Sequence, residues 1–281
     1  MATLKAGFRM PAFLQYHQFY FLLKITSMLQ PWQTGKVIRI ENETESTRRF
    51  WIQLPEMQSF DFKPGQFVTL DLPIHEKPAK RWRSYSIASW PDGTNVLELV
   101  IVLLEGGAGT TYLFNEIKEG SELIVRGPQG VFTLPDPIEK DLFFICTGTG
   151  IAPFRAMSHH IHNHNISHGD IYLIFGCRKF GDCLYGKEMK KLQEDFPGFH
   201  YIPTFSRENT TSDGSFRTGY VHTVYEEICM NNITIAEDTG ASSVKPASFF
   251  LCGWKNMIDE AKQRIQALGY DRKSIHQELY G

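Results

Sequence analysis

The chain has 281 residues, of which 42% are hydrophobic and 21% are charged, and its net charge is −2. These values are typical of a globular protein with one or two domains, and the lack of a basic excess argues against a nucleic-acid-binding protein. Cys146, Cys177, Cys183, Cys229 and Cys252 are widely spaced and match no zinc or iron–sulfur pattern. We therefore expect reduced thiols, a cytoplasmic protein and no metal site.

Residues 1–33 are predicted to be a leader, or an uncertain segment, outside the folded domains. The aromatic-rich stretch 12–23 is interrupted by Gln15, His17 and Gln18. It is therefore too short and too polar for a transmembrane segment. We favour Met28 as the true start or a disordered leader, with an amphipathic segment on a membrane surface as the alternative.

From residue 34 onward, short strand-like runs follow one another with turn signals between them. Their patterns predict strands at residues 36–43, 49–54, 66–72, 83–89, 96–104 and 121–126, and one short helix at 109–117. Proline and glycine, as in Pro64-Gly65, mark the turns. The pattern is typical of an antiparallel β-barrel, and we expect a Greek-key barrel over residues 34–137.

After residue 137, apolar runs alternate with helix-length segments. Strands are predicted at 142–146, 171–176, 200–205, 249–252 and 274–279, and helices at 152–162, 186–194, 221–230 and 256–268. This alternation indicates βαβ units, so residues 138–281 are predicted to form an α/β domain with a five-stranded parallel sheet. The polar segment 231–245 is predicted to be a surface loop.

The strand at 142–146 runs into a glycine-rich turn, Thr147-Gly148-Thr149-Gly150, and then into a helix. Pro153 suits the first turn of that helix, where a missing N–H costs nothing. Glycines let the backbone approach a phosphate, and the free N–H groups and the helix dipole favour the anion. A tight connection with no ligand stays an alternative, because the full dinucleotide fingerprint is absent.

The strand at 83–89 carries residue types that suit a nucleotide with a planar ring. Arg83 can pair with a pyrophosphate, Tyr85 can pack on a ring, and Ser86 can hydrogen-bond a heteroatom. An ordinary barrel strand would contain the same residues, so this motif alone leaves the question open.

Several segments occur in an order and at a spacing that resemble the ferredoxin/flavodoxin–NADP reductase superfamily. They are RSYSIAS, GAGTTYL, GPQGVF, CTGTGIAPFR, FSRE, LCGWKNM and the terminal ELYG, and they extend from about residue 35 to the end. The resemblance implies an FAD-binding barrel followed by an NADP(H)-binding domain, with the flavin between them. It also implies hydride transfer between NADP(H) and flavin, and single-electron exchange with a ferredoxin- or flavodoxin-like carrier.

The resemblance assigns roles to individual residues. It implies FAD contacts at Arg83, Ser84, Tyr85, Ser86, Gly109, Thr110, Thr111 and Tyr280. It implies NADP(H) contacts at Thr147, Gly148, Thr149, Gly150, Pro153, Ser206, Arg207, Tyr220, Cys252, Gly253 and Met257. Ser86, Cys252 and Glu278 are implied to be the catalytic residues. Gly281 extends one position beyond the stacking aromatic, Tyr280, with which the well-known members end.

Ser206 and Arg207, which follow the strand at 200–205, favour NADP over NAD. A hydroxyl and a guanidinium suit a 2′-phosphate, whereas NAD enzymes tend to place a carboxylate on the free ribose. A solvated loop arginine is the alternative. Arg217, near a second basic position of the NADP-specific branch, is offset by one residue.

The partner is less well defined by the sequence. The basic run Lys77, Lys80, Arg81 and Arg83 is a candidate docking face for an acidic ferredoxin or flavodoxin, which we expect to be a separate molecule. A reductase component for an oxygenase, hydroxylase or desaturase is the alternative function. A redox-silent regulator is disfavoured, because Ser86, Cys252 and Glu278 are all present. The histidine-rich segment 159–168 is predicted to be a solvated helix end.

Overall fold

The structure is a computed structural model that describes residues 30–209, 216–235 and 242–280. Of the predicted leader, residues 1–29, which include Met28, lie outside the described residues, whereas Trp32 and Gln33 belong to the first strand. Gly281 also lies outside it. None of the helices in the described range is long and apolar enough to cross a membrane.

The first domain is an antiparallel barrel. Its strands are β1 (Trp32–Asn42), β2 (Thr47–Gln53), β3 (Phe67–Asp71), β4 (Trp82–Ser86), β5 (Val96–Val102) and β6 (Glu122–Gln129), and its helix is α1 (Ala108–Asn115). The strand order is β4-β3-β6-β1-β2-β5. The two ends of this order meet where the Ala88 N–H donates to the Glu98 carbonyl at 2.8 Å. Inward side chains such as Phe50, Ile52 and Leu70 fill the interior.

The second domain is built on a six-stranded parallel sheet, so the prediction of five strands was wrong by one. The strands of this part of the chain are β7 (Asp141–Thr147), β8 (Ile171–Cys177), β9 (Phe199–Phe205), β10 (Arg217–Thr218), β11 (Ile233–Ile235), β12 (Ser242–Val244), β13 (Ala247–Gly253) and β14 (Ile275–Leu279). The additional strand is β10, whose two residues are too few to show a period. β11 and β12 pair antiparallel within the segment that was predicted to be a loop.

Helices cover both faces of the parallel sheet. α2 (Ala152–Asn163) and α3 (Gly186–Asp195) lie on one face, and α4 (Val221–Asn231) and α5 (Lys255–Ala267) lie on the other. β7 therefore buries both of its sides: Phe144 packs towards the first pair and Phe143 towards the second. A strand that is buried on both faces has a continuous apolar sequence, which is why the sequence predicted β7.

The order of the parallel sheet places a crevice at the end of β7. The order is β10-β9-β8-β7-β13-β14, so the chain winds outward in one direction from β7 and then returns to its other side. Open α/β sheets bind ligands at such a reversal, outside the carboxyl ends of the strands. The barrel packs beside this point through a shared core, in which the Phe132 ring lies 5.4 Å from that of Phe250 and 5.9 Å from that of Phe154.

Candidate active site

A cleft of about 1450 Å³ lies between the barrel and the α/β domain. Sites for a single drug-sized ligand usually measure about 300–1,000 Å³, so this cleft is large enough for more extended ligands. The barrel contributes β4, the end of β5 and the start of α1. The α/β domain contributes the carboxyl ends of β7, β8, β13 and β14 and the residues that follow β9.

On the barrel side, Arg83 lies against the start of α1. A Cβ built on Gly109 would lie 3.0 Å from the Arg83 side chain, so a larger residue here would require Arg83 to shift by a few tenths of an ångström. The Arg83 guanidinium donates to the backbone carbonyls of Lys80 (3.1 Å) and Trp82 (2.8 Å). No side chain caps α1, so a cation and unpaired helix N–H groups converge here, as an anionic phosphate requires.

The two threonines predicted for this phosphate site differ in position. The Thr110 hydroxyl accepts a hydrogen bond from the Leu104 N–H at 3.1 Å, and the residue lines the cleft. Thr111 is exposed and lies outside the cleft lining, because it is on the next position around the helix. Thr110 thus braces the loop that precedes α1.

Ser86 and Glu278 join the two domains at the cleft. Ser86, at the end of β4, is buried, and its Oγ donates to Glu278 Oε2 at 2.7 Å. Burial raises the pKa of the Glu278 carboxyl, and the hydrogen bond from Ser86 lowers it in part. Burial also raises the pKa of Tyr85 to about 12, so its phenol stays neutral.

The end of β13 places Cys252 behind this pair. Cys252 lies beside Glu278 of β14 and Cys146 of β7 in the strand register. It is fully buried, and burial raises the pKa of its thiol well above the usual range, so it is not a thiolate nucleophile. The Tyr280 N–H donates to the Gly253 carbonyl at 3.0 Å, which holds Tyr280 in the cleft lining.

The glycine-rich turn lies against β13. A Cβ built on Gly150 would come within 2.4 Å of the Cys252 carbonyl oxygen, so only glycine allows the turn to pack this closely. Gly148 has a φ of +54° and open space around it. The Thr147 hydroxyl is buried and, within the described residues, has no hydrogen-bond partner. Such groups are rare in folded proteins, and a polar ligand at this turn would satisfy this one.

The far end of the cleft carries the residues predicted to select the nucleotide. The Ser206 N–H donates to the Cys177 carbonyl at 3.0 Å, and the Arg207 N–H donates to the Arg178 carbonyl at 2.9 Å. Ser206 lines the cleft, as does the largely exposed Tyr220, whereas the exposed Arg207 side chain lies outside its lining. Arg217 forms an ion pair with Glu227.

Most of the predicted site residues meet in this one cleft. Its lining includes Arg83, Ser84, Tyr85, Ser86, Gly109, Thr110, Thr147, Gly148, Thr149, Ser206, Tyr220, Gly253, Met257, Glu278 and Tyr280. Outside the lining are Thr111, Gly150, Pro153, Arg207 and Cys252. Gly150, Pro153 and Cys252 are buried behind it.

Sequence reasoning missed several residues of the lining. They are Trp82, Arg178, His222, Trp254, Asn256 and Glu260. Arg178 had a usable signal, because it follows β8 at the same sheet edge where predicted residues follow β7 and β9. Trp82 also had a signal, because it precedes Arg83 on the same strand, and Trp254 and Asn256 lie in the LCGWKNM segment. His222 and Glu260 had none, since their positions depend on the packing of α4 and α5.

Two family models match the chain. The oxidoreductase FAD-binding domain matches residues 34–134, and the oxidoreductase NAD-binding domain matches residues 144–263. Ferredoxin–NADP reductase B of Sorangium cellulosum (strain So ce56) is 30% identical over 247 residues, which cover 88% of this chain and 96% of the relative. The chain belongs to the ferredoxin–NADP reductase superfamily. The predicted family, the two-domain fold and the binding of FAD and a nicotinamide dinucleotide are thereby confirmed.

Other similarities show the breadth of this superfamily. A glycine betaine monooxygenase reductase subunit of Pseudomonas aeruginosa (strain UCBPP-PA14) is 28% identical, over 93% of this chain and 68% of the relative. The fold is that of the ferredoxin NADP+ reductase from Neisseria gonorrhoeae with bound FAD and NADP, with a TM-score of 0.71 and 23% identity over 88% of this chain and 98% of that one. The two family models and the 30% identical reductase show that the chain is a flavoprotein oxidoreductase of an electron-transfer family.

Proposed function

We propose that this reductase transfers hydride between NADP(H) and FAD and exchanges single electrons with a ferredoxin- or flavodoxin-like carrier. The observation that carries the proposal is the hydrogen bond from Ser86 to Glu278. It lies in one cleft with the start of α1 on the barrel side and the glycine-rich turn after β7 on the other. Bound FAD supplies the chemistry that connects two-electron hydride exchange with one-electron transfer. The protein binds, orients and shields the reacting groups.

We propose that the barrel holds FAD. Arg83 and the first N–H groups of α1, at Gly109 and Thr110, would hold the pyrophosphate. Ser84, Tyr85 and Tyr280 would contact the ring system and its ribityl chain. Thr111, whose N–H donates to the Gly107 carbonyl at 2.9 Å, would hold the same helix turn in place. Glu278, the pKa of whose carboxyl is raised by burial, would hold a proton, and the Ser86 hydroxyl would relay that proton between the carboxyl and the flavin site by accepting one proton as it gives up another.

The α/β domain would hold NADP(H), with the division between the domains at residues 137 and 138, between β6 and β7. The Thr147–Thr149 turn would hold the pyrophosphate, and Gly150 and Pro153 would shape that turn. Gly253, Met257 and the backbone of Cys252 would border the nicotinamide, and Tyr220 the adenine. Ser206, Arg207 and the newly identified Arg178 would hold the 2′-phosphate.

Anaerobic titration of the yellow holoprotein with NADPH and NADH tests this function. We expect NADPH to bleach the flavin absorption faster than NADH. Arg207→Ala should raise the KM for NADPH by about tenfold or more and leave that for NADH unchanged, because the lost contact is charged. Arg272→Ala, at the opposite edge of the sheet, is the control. No bleaching by either nucleotide would refute the function, and faster reduction by NADH would refute the NADP preference.

The carrier is proposed to be acidic and to dock beside the exposed Lys77 and Lys80. We assign the docking role to these two lysines, because Arg81 forms an ion pair with Asp71 and Arg83 donates hydrogen bonds to backbone carbonyls. The neighbouring Trp82 is partly exposed and lines the cleft. The reductase of an oxygenase, hydroxylase or desaturase stays the alternative, which the glycine betaine monooxygenase relative supports.

Charge reversal tests the docking face. Lys77→Glu with Lys80→Glu should raise the KM for an acidic ferredoxin or flavodoxin several-fold, about 1 kcal/mol in binding, and spare ferricyanide reduction. Lys273→Glu, at the far edge of the sheet, should change neither. Equal loss of both activities would refute this surface, and a panel of carriers would separate the two candidate functions.

The five unpaired cysteines support a reducing compartment, which we propose to be the cytoplasm.

A further inference from the structure

A buried ion-pair network joins the two domains behind the cleft. Its centre is Glu98 of β5, which is 3% exposed. Glu98 Oε1 accepts hydrogen bonds from Arg49 Nε (2.6 Å) and the Tyr185 hydroxyl (2.7 Å), and Oε2 accepts one from Arg155 Nη1 (3.0 Å). Arg49 belongs to the barrel, whereas Tyr185 and Arg155 belong to the α/β domain. One barrel carboxylate therefore holds two separate elements of the other domain.

A second set of contacts fixes the direction of the Arg155 guanidinium. Its Nη1 also donates to the Ala88 carbonyl at 2.8 Å, and its Nε donates to Glu188 Oε1 at 2.7 Å. The guanidinium lies 4.5 Å from the centre of the Tyr185 ring. Arg155 thus contacts a barrel carboxylate, a barrel carbonyl and α3 at once, and only the planar fork of arginine can do this.

His159 belongs to the same interface, so the prediction that the histidine segment is a solvated helix end was wrong at this position. Its Nε2 lies 2.7 Å from Glu188 Oε1, and its ring stacks on Trp90 of the barrel at 4.0 Å. The error arose because the sequence around residue 159 is polar, while its partner Trp90 comes from the other domain.

Each member of the network lies next to a segment that lines the cleft. Glu98 is on β5, whose Val100 and Val102 line it, and Leu184, another lining residue, precedes Tyr185. Arg155 is in the first turn of α2, directly after the glycine-rich turn. A rotation of one domain against the other would therefore change the cleft and the network together.

The free-energy cost of burying this network indicates that it serves to orient the two domains relative to each other. Burying two charges is expensive, and apolar residues of similar size often replace a buried ion pair with no loss of stability. An apolar contact can slide, however, whereas hydrogen bonds to one carboxylate specify distance and angle. Hydride transfer is sensitive to such placement, since a shift of about 1 Å can cost about a hundredfold in rate.

We propose that Glu98, Arg155 and Tyr185 are positioning residues, which set the angle between the two domains and thereby the approach of the nicotinamide to the flavin. This inference rests on the proposed function. It assigns the network a role in the reaction in addition to its role in folding.

Tyr185→Phe and Glu98→Gln test the inference in the FAD-loaded protein. Tyr185→Phe removes one donor and keeps the ring, and Glu98→Gln keeps the shape and removes the charge. We expect both to retain FAD, to lower the rate of flavin reduction by NADPH about tenfold and to change the Kd of NADPH less than about threefold. The long-wavelength charge-transfer absorption of the NADPH complex should weaken, because it reports ring overlap. Glu226→Gln, which breaks an ion pair inside the α/β domain with Arg264, is the matched control.

The outcomes separate this inference from the proposed function. A wild-type protein that NADPH does not reduce would refute the function itself. Normal reduction of the wild type, with unchanged rate and charge-transfer absorption in Tyr185→Phe, would refute the positioning role alone. So would a rate loss in Glu98→Gln that disappears when the rate is expressed per bound flavin. A weaker charge-transfer absorption at full FAD content would support the role.

Discussion

Glu278 shows how a single residue acquires its chemistry from its surroundings. Its carboxyl is withdrawn from water, which raises its pKa, and its hydrogen bond to Ser86 partly offsets the effect by stabilising the charged form. Glu278 therefore keeps its proton to a higher pH than an exposed glutamate does. The resemblance of the sequence to a family named both residues, but their contact spans 192 positions and arises from the docking of β14 on the barrel.

Ser86→Ala should shift the pH dependence of the reaction. Loss of the hydroxyl removes a donor to the ionised Glu278, so the pKa of the carboxyl rises further. The rate of anaerobic flavin reduction should fall about a hundredfold, and the limb of its pH profile that reports Glu278 should move to higher pH. Glu278→Gln is the control and should lack that limb. A profile of Ser86→Ala that coincides with that of the wild type would exclude the proton role.

At the scale of elements, long apolar segments were predictable and short ones were not. β7 and β13 are buried on both faces, so their sequences reveal them without tertiary information. β10 has two residues and β11 and β12 three each, and such strands form because a neighbour offers hydrogen-bond partners. The close packing of the glycine-rich turn on β13 likewise depends on a neighbouring element and not on the local sequence.

Gly150→Ala should destabilise the α/β domain. Its Cβ would come within 2.4 Å of a carbonyl oxygen of β13, and backbone cannot give way as a flexible side chain can. We expect a loss of about 1–3 kcal/mol in the free energy of unfolding, measured by denaturant titration, and weaker NADPH binding. Gly181→Ala is the matched control, because a Cβ there meets no atom within 4 Å. Equal stability of the two variants would show that the turn can move away from β13.

At the scale of the whole molecule, the two domains form one functional unit through a shared apolar core and the interdomain contacts of Arg155. Glu188 is the titratable member of these contacts on α3. Burial opposes its ionisation, but the hydrogen bond with His159 and the charge of Arg155 lower the pKa of Glu188 to about 2. A glutamate in an unfolded chain has a pKa of about 4.3, so folding favours the ionised form.

The stability contributed by Glu188 should therefore be lost in acid. Because its folded pKa is depressed, the contribution is present above about pH 4.3 and declines as the pH falls towards about 2. Glu188→Gln should lower the melting temperature at neutral pH, and its difference from the wild type should shrink over that range. Glu194→Gln, on the exposed side of the same helix, should differ little from the wild type at any pH. A difference between wild type and Glu188→Gln that is constant with pH would contradict the linkage.

The sequence by itself determined the two domains, nearly all of the longer strands and helices, and the glycine-rich turn that follows β7. These features depend on local periodicity and on residue types at the ends of strands, both of which are visible in one dimension. Only the tertiary structure decided which predicted residues face the cleft, that Arg178 joins them, and that Thr111 does not. It alone brought Ser86 to Glu278 and Glu98 to Arg155. Those contacts join segments that are distant in the chain, and the packing of one domain on the other selects them.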